Sequence, residues 1–240
     1  MTNAMRWLRY LACFPIAATA QAQAPCTTAT PACTEWVTSP SGPGRLLVYR
    51  SHALTRPNAA ITRAFILIHG AERDAHNYYR HALAAAFLAG TLENAIVISP
   101  RFAPNDGRNC EDSLAPGEAN WDCGGPGQWT AGGAASGSAS LTTFDITDDL
   151  LRHLARRDIF PNLSAIVIGG HSAGGQFSQR YAMANQVHEK LGVPVTYIRF
   201  ASERHGATHQ AVPVPSCGHN GRCMFTSEEA EALALVFPKR

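Results

Sequence analysis

Short apolar runs alternate with amphipathic stretches along most of the chain. The runs are rich in β-branched residues and read as strands, whereas the stretches between them carry apolar positions at helical spacing. Alternation of this kind predicts parallel βαβ units, and therefore an α/β fold with a mostly parallel, doubly wound sheet. The predicted strands are residues 45–51, 61–68, 95–99, 165–169 and 192–201, and the predicted helices are 76–89, 143–157, 176–184 and 225–237.

The segment 165–177, AIVIGGHSAGGQF, joins a buried-type strand to a helix. It contains the G-x-S-x-G pattern around Ser172. A serine on a sharp strand-to-helix turn presents its hydroxyl at the end of the sheet, and glycines two residues away on either side let the backbone make the turn. The pattern therefore predicts a nucleophile at Ser172, with a Gly/Ser-rich turn without chemistry as the alternative.

Helix and strand periodicity both disappear between residues 101 and 140. This range holds Trp121, Trp129, Cys110 and Cys123. Loops of this length in a compact domain are usually lids or binding loops, or else disordered. We expect an ordered excursion near the active site that forms part of its wall, with tryptophans that simply belong to the core as the alternative.

Composition and the N-terminal pattern indicate an exported globular protein. The chain has 240 residues, 45% of them hydrophobic and 16% charged, with a formal net charge of +2. This composition predicts one globular domain and no nucleic-acid partner. Arg6 and Arg9 precede an apolar run interrupted by Pro15, followed by Ala-x-Ala sites, so residues 1–24 are predicted to be a signal peptide. We expect an irregular N-terminal arm at 25–44, a domain at 45–240, no membrane span in the mature chain and a secreted or periplasmic location.

Six cysteines remain after the predicted signal peptide, which contains Cys13. An even number in an exported chain indicates disulfides, and proximity in sequence favours three pairs. A metal site formed by Cys217, His219 and Cys223, or by His205 and His209, is the alternative. Zinc normally takes four ligands and no fourth is evident beside Cys217, His219 and Cys223, so no metal is predicted. The favoured pairs are Cys26 with Cys33, Cys110 with Cys123, and Cys217 with Cys223.

A serine nucleophile needs a base, a group that orients the base, and donors for the oxyanion. The backbone N–H of Ala173 is one expected donor. The second is expected from the loop after the 61–68 strand, at Gly70 or Ala71. His69 is expected to order that loop without transferring protons. This chemistry requires no cofactor.

Segments spread over most of the predicted mature chain carry a resemblance to a known family. They are 68–70, 73–78, 99–102, Trp129 with 132–133, 140–149, 160–163, 170–182, 218–219 and 224–227. Together they resemble a family of bacterial α/β-hydrolases known as serine hydrolases or esterases. The resemblance implies the α/β-hydrolase fold, Ser172 as nucleophile and His219 as base. In this fold the triad follows the order serine, acid, histidine, and only His188, His205, His209 and His219 follow Ser172. His188 is expected at the surface of the helix after Ser172, so His205 and His209 are the competitors of His219.

The triad acid does not fit the family pattern, because the C-terminal third is short. About a dozen residues separate the 192–201 strand from Val212, too few for another strand, a helix and a return. Glu203 is the candidate acid, because Glu189 is expected in the helix after Ser172. Asp145, Asp148 and Asp149 are interpreted as charges at a helix N-terminus.

The sequence thus predicts a secreted serine hydrolase that acts on a small-molecule or other ester through an acyl-Ser172 intermediate. A non-catalytic binding protein that keeps the fold with a degenerate triad is the alternative. The oligomeric state stays open.

Overall fold

A computed structural model describes residues 23–107, 110–125 and 127–200 of the chain. None of the helices in these ranges is long and apolar enough to cross a bilayer. The predicted helix at 225–237 and most of the predicted signal peptide lie outside them. The strands are β1 Thr34–Thr38, β2 Arg45–Arg50, β3 Arg63–Ile68, β4 Ala95–Arg101, β5 Ala103–Pro104, β6 Asn120–Trp121, β7 Ala165–His171 and β8 Val195–Phe200. The α-helices are α1 Ala75–Leu88, α2 Thr143–Leu154 and α3 Ala173–Ala184, and 3-10 turns lie at Pro31–Cys33, Trp129–Ala131 and His188–Lys190.

Six of the strands form one mostly parallel sheet in the order β1-β2-β4-β3-β7-β8. The neighbours β4, β3, β7 and β8 run parallel, whereas β1 and β2 add an antiparallel edge. Parallel neighbours need crossover connections, and helices supply them here. The predicted α/β class with a mostly parallel sheet is confirmed.

The sheet is covered on both faces, as side-chain alternation along β3 shows. Ala64, Ile66 and Ile68 belong to the apolar cluster that contains α2 and α3, whereas Phe65 and Leu67 belong to the cluster that contains α1. All five side chains are fully buried. A strand buried on both faces reads as a continuous apolar run, which is why the sequence identified β3.

The N-terminal arm is not irregular throughout, contrary to expectation. Within residues 25–44, β1 pairs antiparallel with β2 along its whole length. Glu35 ties it further, because its Oε2 accepts the Arg50 Nε–H and the Leu54 N–H, each at 3.0 Å. A local sequence pattern does not reveal partners this far along the chain. The five-residue strand was therefore not predicted within a segment rich in Thr, Pro, Ser and Gly.

Several boundaries also differ from expectation, and two of the differences have a clear physical reason. The strand predicted at 95–99 ends before Pro100, but β4 continues to Arg101. Pairing with β3 stops at Ile98, and Pro100 is paired with Val48 of β2 alone. A proline is tolerated where only one side of a strand is paired. His188, expected in the helix after Ser172, lies instead in a separate 3-10 turn.

That turn is separate because Asn185 ends α3. Its side-chain Oδ1 accepts the backbone N–H groups of Val187 and His188 at 3.3 and 3.1 Å. An asparagine that bonds its own following backbone competes with helix continuation. Glu189 therefore also leaves the helix in which it was predicted.

Two of the three predicted disulfides are present. Cys26 bonds Cys33 with a Cα–Cα distance of 5.6 Å, and Cys110 bonds Cys123 with a Cα–Cα distance of 5.9 Å. The third predicted pair, Cys217 with Cys223, lies outside the described residues.

Candidate active site

Ser172 occupies the turn between β7 and α3 in a conformation that side chains rarely adopt. Its φ is 55° and its ψ is −122°, the geometry of the first central residue of a type II′ turn, which normally requires glycine. Non-glycine residues in such regions cluster at functional sites, where the surrounding structure holds them. The turn therefore has the strained geometry expected of a nucleophile elbow.

The glycines on either side of Ser172 are required by packing. A Cβ on Gly170 would collide with the backbone of Gly174, and a Cβ on Gly174 would collide with the carbonyl oxygens of Ile68 and His69. The first turn of α3 thus lies directly against the end of β3. This contact brings the elbow and the loop after β3 into one compact unit.

The N-terminus of α3 presents donors at this place. The carbonyl of Ser172 accepts the N–H of Gln176 at 3.1 Å, so the helix begins at Ala173. The first N–H groups of a helix have no partner within the helix, and they carry the positive end of its dipole. The positive end of the α3 dipole therefore lies directly after Ser172.

The loop after β3 leaves the same edge of the sheet. Ile68 is paired with Gly170 in the parallel register of β3 and β7. Gly70 and Ala71 consequently leave the sheet beside the turn that holds Ser172. A Cβ on Gly70 would lie 2.8 Å from the hydroxyl at the end of the Tyr78 side chain, so the loop packs closely against the first turn of α1.

His69 orders this loop and is unsuited to proton transfer. The imidazole is fully buried, and its Nε2 accepts the backbone N–H of Phe102 at 3.0 Å. Nδ1 must then carry the proton, which it donates to the carbonyl of Gly70 at 2.9 Å. Burial lowers the pKa of His69 to about 4, against a smaller opposing effect of the Gly70 carbonyl. The loop-ordering role expected for His69 is confirmed.

The tryptophans of the excursion belong to the core. Trp121 is fully buried and Trp129 is 2% exposed, and both pack with Phe102. The Trp129 ring lies 4.7 Å from the His69 ring, centroid to centroid. The excursion therefore packs against the loop after β3 through the contact of Trp129 with His69.

Arg73 is a second non-glycine residue with positive φ, at 58°. Its Nε–H donates to both carboxylate oxygens of Asp112 at 3.0 and 2.9 Å, and its Nη1 donates to the carbonyl of Ala71 at 2.5 Å. Sequence reasoning missed this pair, because the partners are 39 residues apart and the excursion carries no periodic pattern.

The base and acid predicted from the sequence, His219 and Glu203, lie outside the described residues, as do His205 and His209. The strand that leads toward them ends beside the elbow, because Phe200 of β8 is paired with His171. Glu203 follows Phe200 by three positions in the sequence.

His188 cannot reach Ser172. The two residues lie beyond opposite ends of α3, whose 12 residues span about 18 Å at the helical rise. The His188 Nδ1 instead lies 3.4 Å from the hydroxyl of Tyr197.

The acidic residues of α2 are only partly the helix-terminal charges that were expected. Asp145 is one, because it forms a capping box with Thr142. Asp148 is buried and accepts the Tyr181 hydroxyl at 2.6 Å, and burial raises the pKa of its carboxyl. Asp149 is also buried and bonds Ser39 of the N-terminal arm. These two carboxylates join elements of the fold.

No cluster of three or more His, Cys, Asp or Glu side chains suited to a metal ion occurs among the residues that the structure covers. The alternative metal ligands Cys217, His219 and Cys223 are outside that part of the chain.

No protein-family profile and no curated protein match this sequence. Solved structures do match. An α/β serine hydrolase without a lid from Xanthomonas campestris is 13% identical, over 86% of this chain and 95% of that one, with a TM-score of 0.45. A poly(3-hydroxybutyrate) depolymerase from Bordetella parapertussis is 16% identical, over 65% and 48%, with a TM-score of 0.41. An esterase from Pyrobaculum calidifontis is 16% identical, over 70% and 42%, with a TM-score of 0.38.

The chain spans about half or less of the length of the depolymerase and the esterase. At these TM-scores the overlap is partial, so the chemistry of the site rests on the residues of this chain. Its own mostly parallel sheet, helices on both faces and strained serine turn define an α/β fold with the strand–turn–helix geometry of a nucleophile elbow.

Proposed function

We propose that this protein is a serine hydrolase that cleaves carboxylic esters through an acyl-Ser172 intermediate. The observation that carries the proposal is the backbone of Ser172, with a φ of 55° between two glycines that have no room for a side chain. A turn this strained is maintained by its surroundings, and an exposed nucleophile is the function that such a turn serves at the edge of an α/β sheet.

Two backbone donors are proposed for the oxyanion, the N–H of Ala173 and the N–H of Ala71 beyond Gly70. They support catalysis because each would stabilise the charge that develops in the transition state, by about 3 kcal/mol per donor. The pairing of Ile68 with Gly170 supports this assignment, since it starts both segments side by side.

His219 is proposed as the base and Glu203 as the acid that orients it. Both ring nitrogens of His69 are used within its own loop, which removes that histidine from the competition. The end of β8 beside His171 supports Glu203, because an acid shortly after this strand starts from the edge that carries Ser172.

Export to an oxidising compartment is part of the proposal. Two disulfides close loops within the described residues, and structural disulfides persist in secreted and periplasmic proteins.

The test is covalent labelling with a fluorophosphonate, followed by mass spectrometry and by turnover of short-chain p-nitrophenyl esters. We expect the label on Ser172 in the wild type and neither label nor turnover in S172A. Ser136 is an exposed serine of the excursion, so S136A serves as the matched control and should behave as the wild type. Wild-type protein that takes no label and turns over no ester would instead favour a binding protein with the same fold.

The triad assignment has its own test. H219A should abolish turnover, and E203Q should lower kcat by orders of magnitude while the protein stays folded. Full activity of E203Q would move the acid to another residue, and full activity of H219A would return the base to His205 or His209.

A further inference from the structure

The loop after β3 is a tight turn, and the peptide between Gly70 and Ala71 is fixed by hydrogen bonds to its carbonyl oxygen. The carbonyl of Gly70 accepts the N–H of Arg73 at 3.1 Å and the Nδ1–H of His69 at 2.9 Å. The described chain contains no cis peptide, and in a trans peptide the C=O and the N–H point in opposite directions. Two donors on the Gly70 carbonyl therefore fix the direction of the Ala71 N–H.

Arg73, whose N–H closes this turn, itself has a strained backbone conformation. Its φ of 58° is rare for a residue with a Cβ and persists where the surroundings hold it. The guanidinium group supplies that hold, because it donates to the Ala71 carbonyl and to both oxygens of Asp112. One side chain thus connects the turn to the excursion.

Asp112 is itself anchored. Its backbone N–H donates to the carbonyl of Pro104 at 3.2 Å, and it lies in the loop that the Cys110–Cys123 disulfide closes. Asp106 fastens both ends of that loop, since its carboxylate accepts the backbone N–H groups of Cys110 and Cys123.

The ion pair is also shielded from water. The side chains of Arg73 and Asp112 are 23% and 18% exposed. Pairs with good geometry and restricted solvent contact hold their orientation better than exposed ion pairs do.

We propose that Arg73 and Asp112 are positioning residues that hold the Ala71 N–H in the direction required to bind the oxyanion. This inference rests on the proposed serine hydrolase function. Neither residue touches the reacting atoms. The pair acts through the turn, and the disulfide-closed loop serves as its support.

The test uses the full chain and compares kcat and KM of R73K and D112N for a short-chain p-nitrophenyl ester. Removal of an oxyanion donor lowers kcat by about 10²- to 10³-fold, so a misaligned donor should lower it by about ten- to a hundredfold, with KM little changed. Affinity for a trifluoromethyl ketone, which forms an oxyanion on Ser172, should fall by a similar factor. A purely structural role would not shift this affinity in proportion to kcat.

The control removes an arginine–aspartate pair far more exposed to solvent. Arg156 and Asp158 are 49% and 62% exposed, so D158N should keep the kcat and the ketone affinity of the wild type. If D112N does not fold, R73G replaces it, because glycine adopts a φ of 58° without strain and lacks the guanidinium.

Two outcomes separate the inference from the proposed function. Inactive S172A together with folded R73K and D112N (or R73G) variants whose kcat stays within twofold of the wild type would overturn the positioning role alone. Turnover retained in S172A would overturn the proposed function.

Discussion

The backbone N–H of Phe102 donates to the buried imidazole of His69 at 3.0 Å. This bond joins the loops that follow two neighbouring parallel strands, β3 and β4. It requires a neutral ring, because a protonated imidazole has no acceptor. The connection between the two loops therefore depends on pH.

Acid should weaken the fold through His69. Burial lowers the pKa of this histidine from 6.5 to about 4. Between these pH values His69 is protonated in the unfolded chain but stays neutral in the folded protein. The stabilisation is complete above pH 6.5 and is lost as the pH falls toward 4, by up to about 3 kcal/mol. Urea unfolding of the wild type between pH 8 and pH 4 measures this slope.

H69N provides the comparison for that slope. Its side-chain amide keeps a donor for the Gly70 carbonyl but cannot be protonated in this range. Burial also lowers the pKa of His52 and His81 to about 4, so part of the slope should remain in H69N. Identical slopes for wild type and H69N would contradict the assignment of His69.

Glycine at position 172 should be more stable than alanine. Both S172G and S172A are expected to be inactive, but only alanine keeps the strain of a φ of 55°. We expect S172G to exceed S172A in free energy of unfolding by about 1 kcal/mol. At Ser136, where φ is not positive, glycine should be the less stable of the two. If glycine were less stable than alanine at position 172 as well, the backbone of Ser172 would not be strained.

Gly174 should tolerate no side chain. A Cβ there would meet the carbonyl oxygens at the end of β3, neither of which can rotate away. G174A should lower the free energy of unfolding by more than about 3 kcal/mol or prevent folding. Gly124 has nothing within 4 Å of the corresponding Cβ, so G124A should change stability by less than about 0.5 kcal/mol. Thermal unfolding of the two variants compares them directly.

The two disulfides should differ in their effect on activity. The Cys110–Cys123 bond joins cysteines 13 residues apart, and the Cys26–Cys33 bond joins cysteines 7 residues apart. Removing either one should lower the free energy of unfolding by about 2 to 3 kcal/mol. Only C110A/C123A loosens the support of Asp112, so it should lower kcat whereas C26A/C33A should not. Assays well below the unfolding temperature of each variant make this comparison, and equal kcat values would contradict the role of the loop.

Much of this architecture could be predicted from local patterns, because β3 and β7 are buried on both faces and read as apolar runs. The same holds for the elbow, whose glycines mark a turn with no room for side chains. β1 escaped prediction because its stabilisation comes from pairing with β2 and from Glu35. The pair of Arg73 and Asp112 escaped because it joins two irregular loops, and nothing local relates an arginine to an aspartate 39 residues away.

β3 and β7 each have a neighbouring strand on both sides, and the two loops that carry the candidate site continue from them. Amides of interior strands exchange with deuterium only when the whole domain opens. The serine turn should therefore not unfold separately from the sheet. Activity should be lost at the same temperature at which the domain unfolds. Selection for activity in the cold would then have to act on segments outside the sheet, because the serine turn cannot become more flexible while the sheet stays intact.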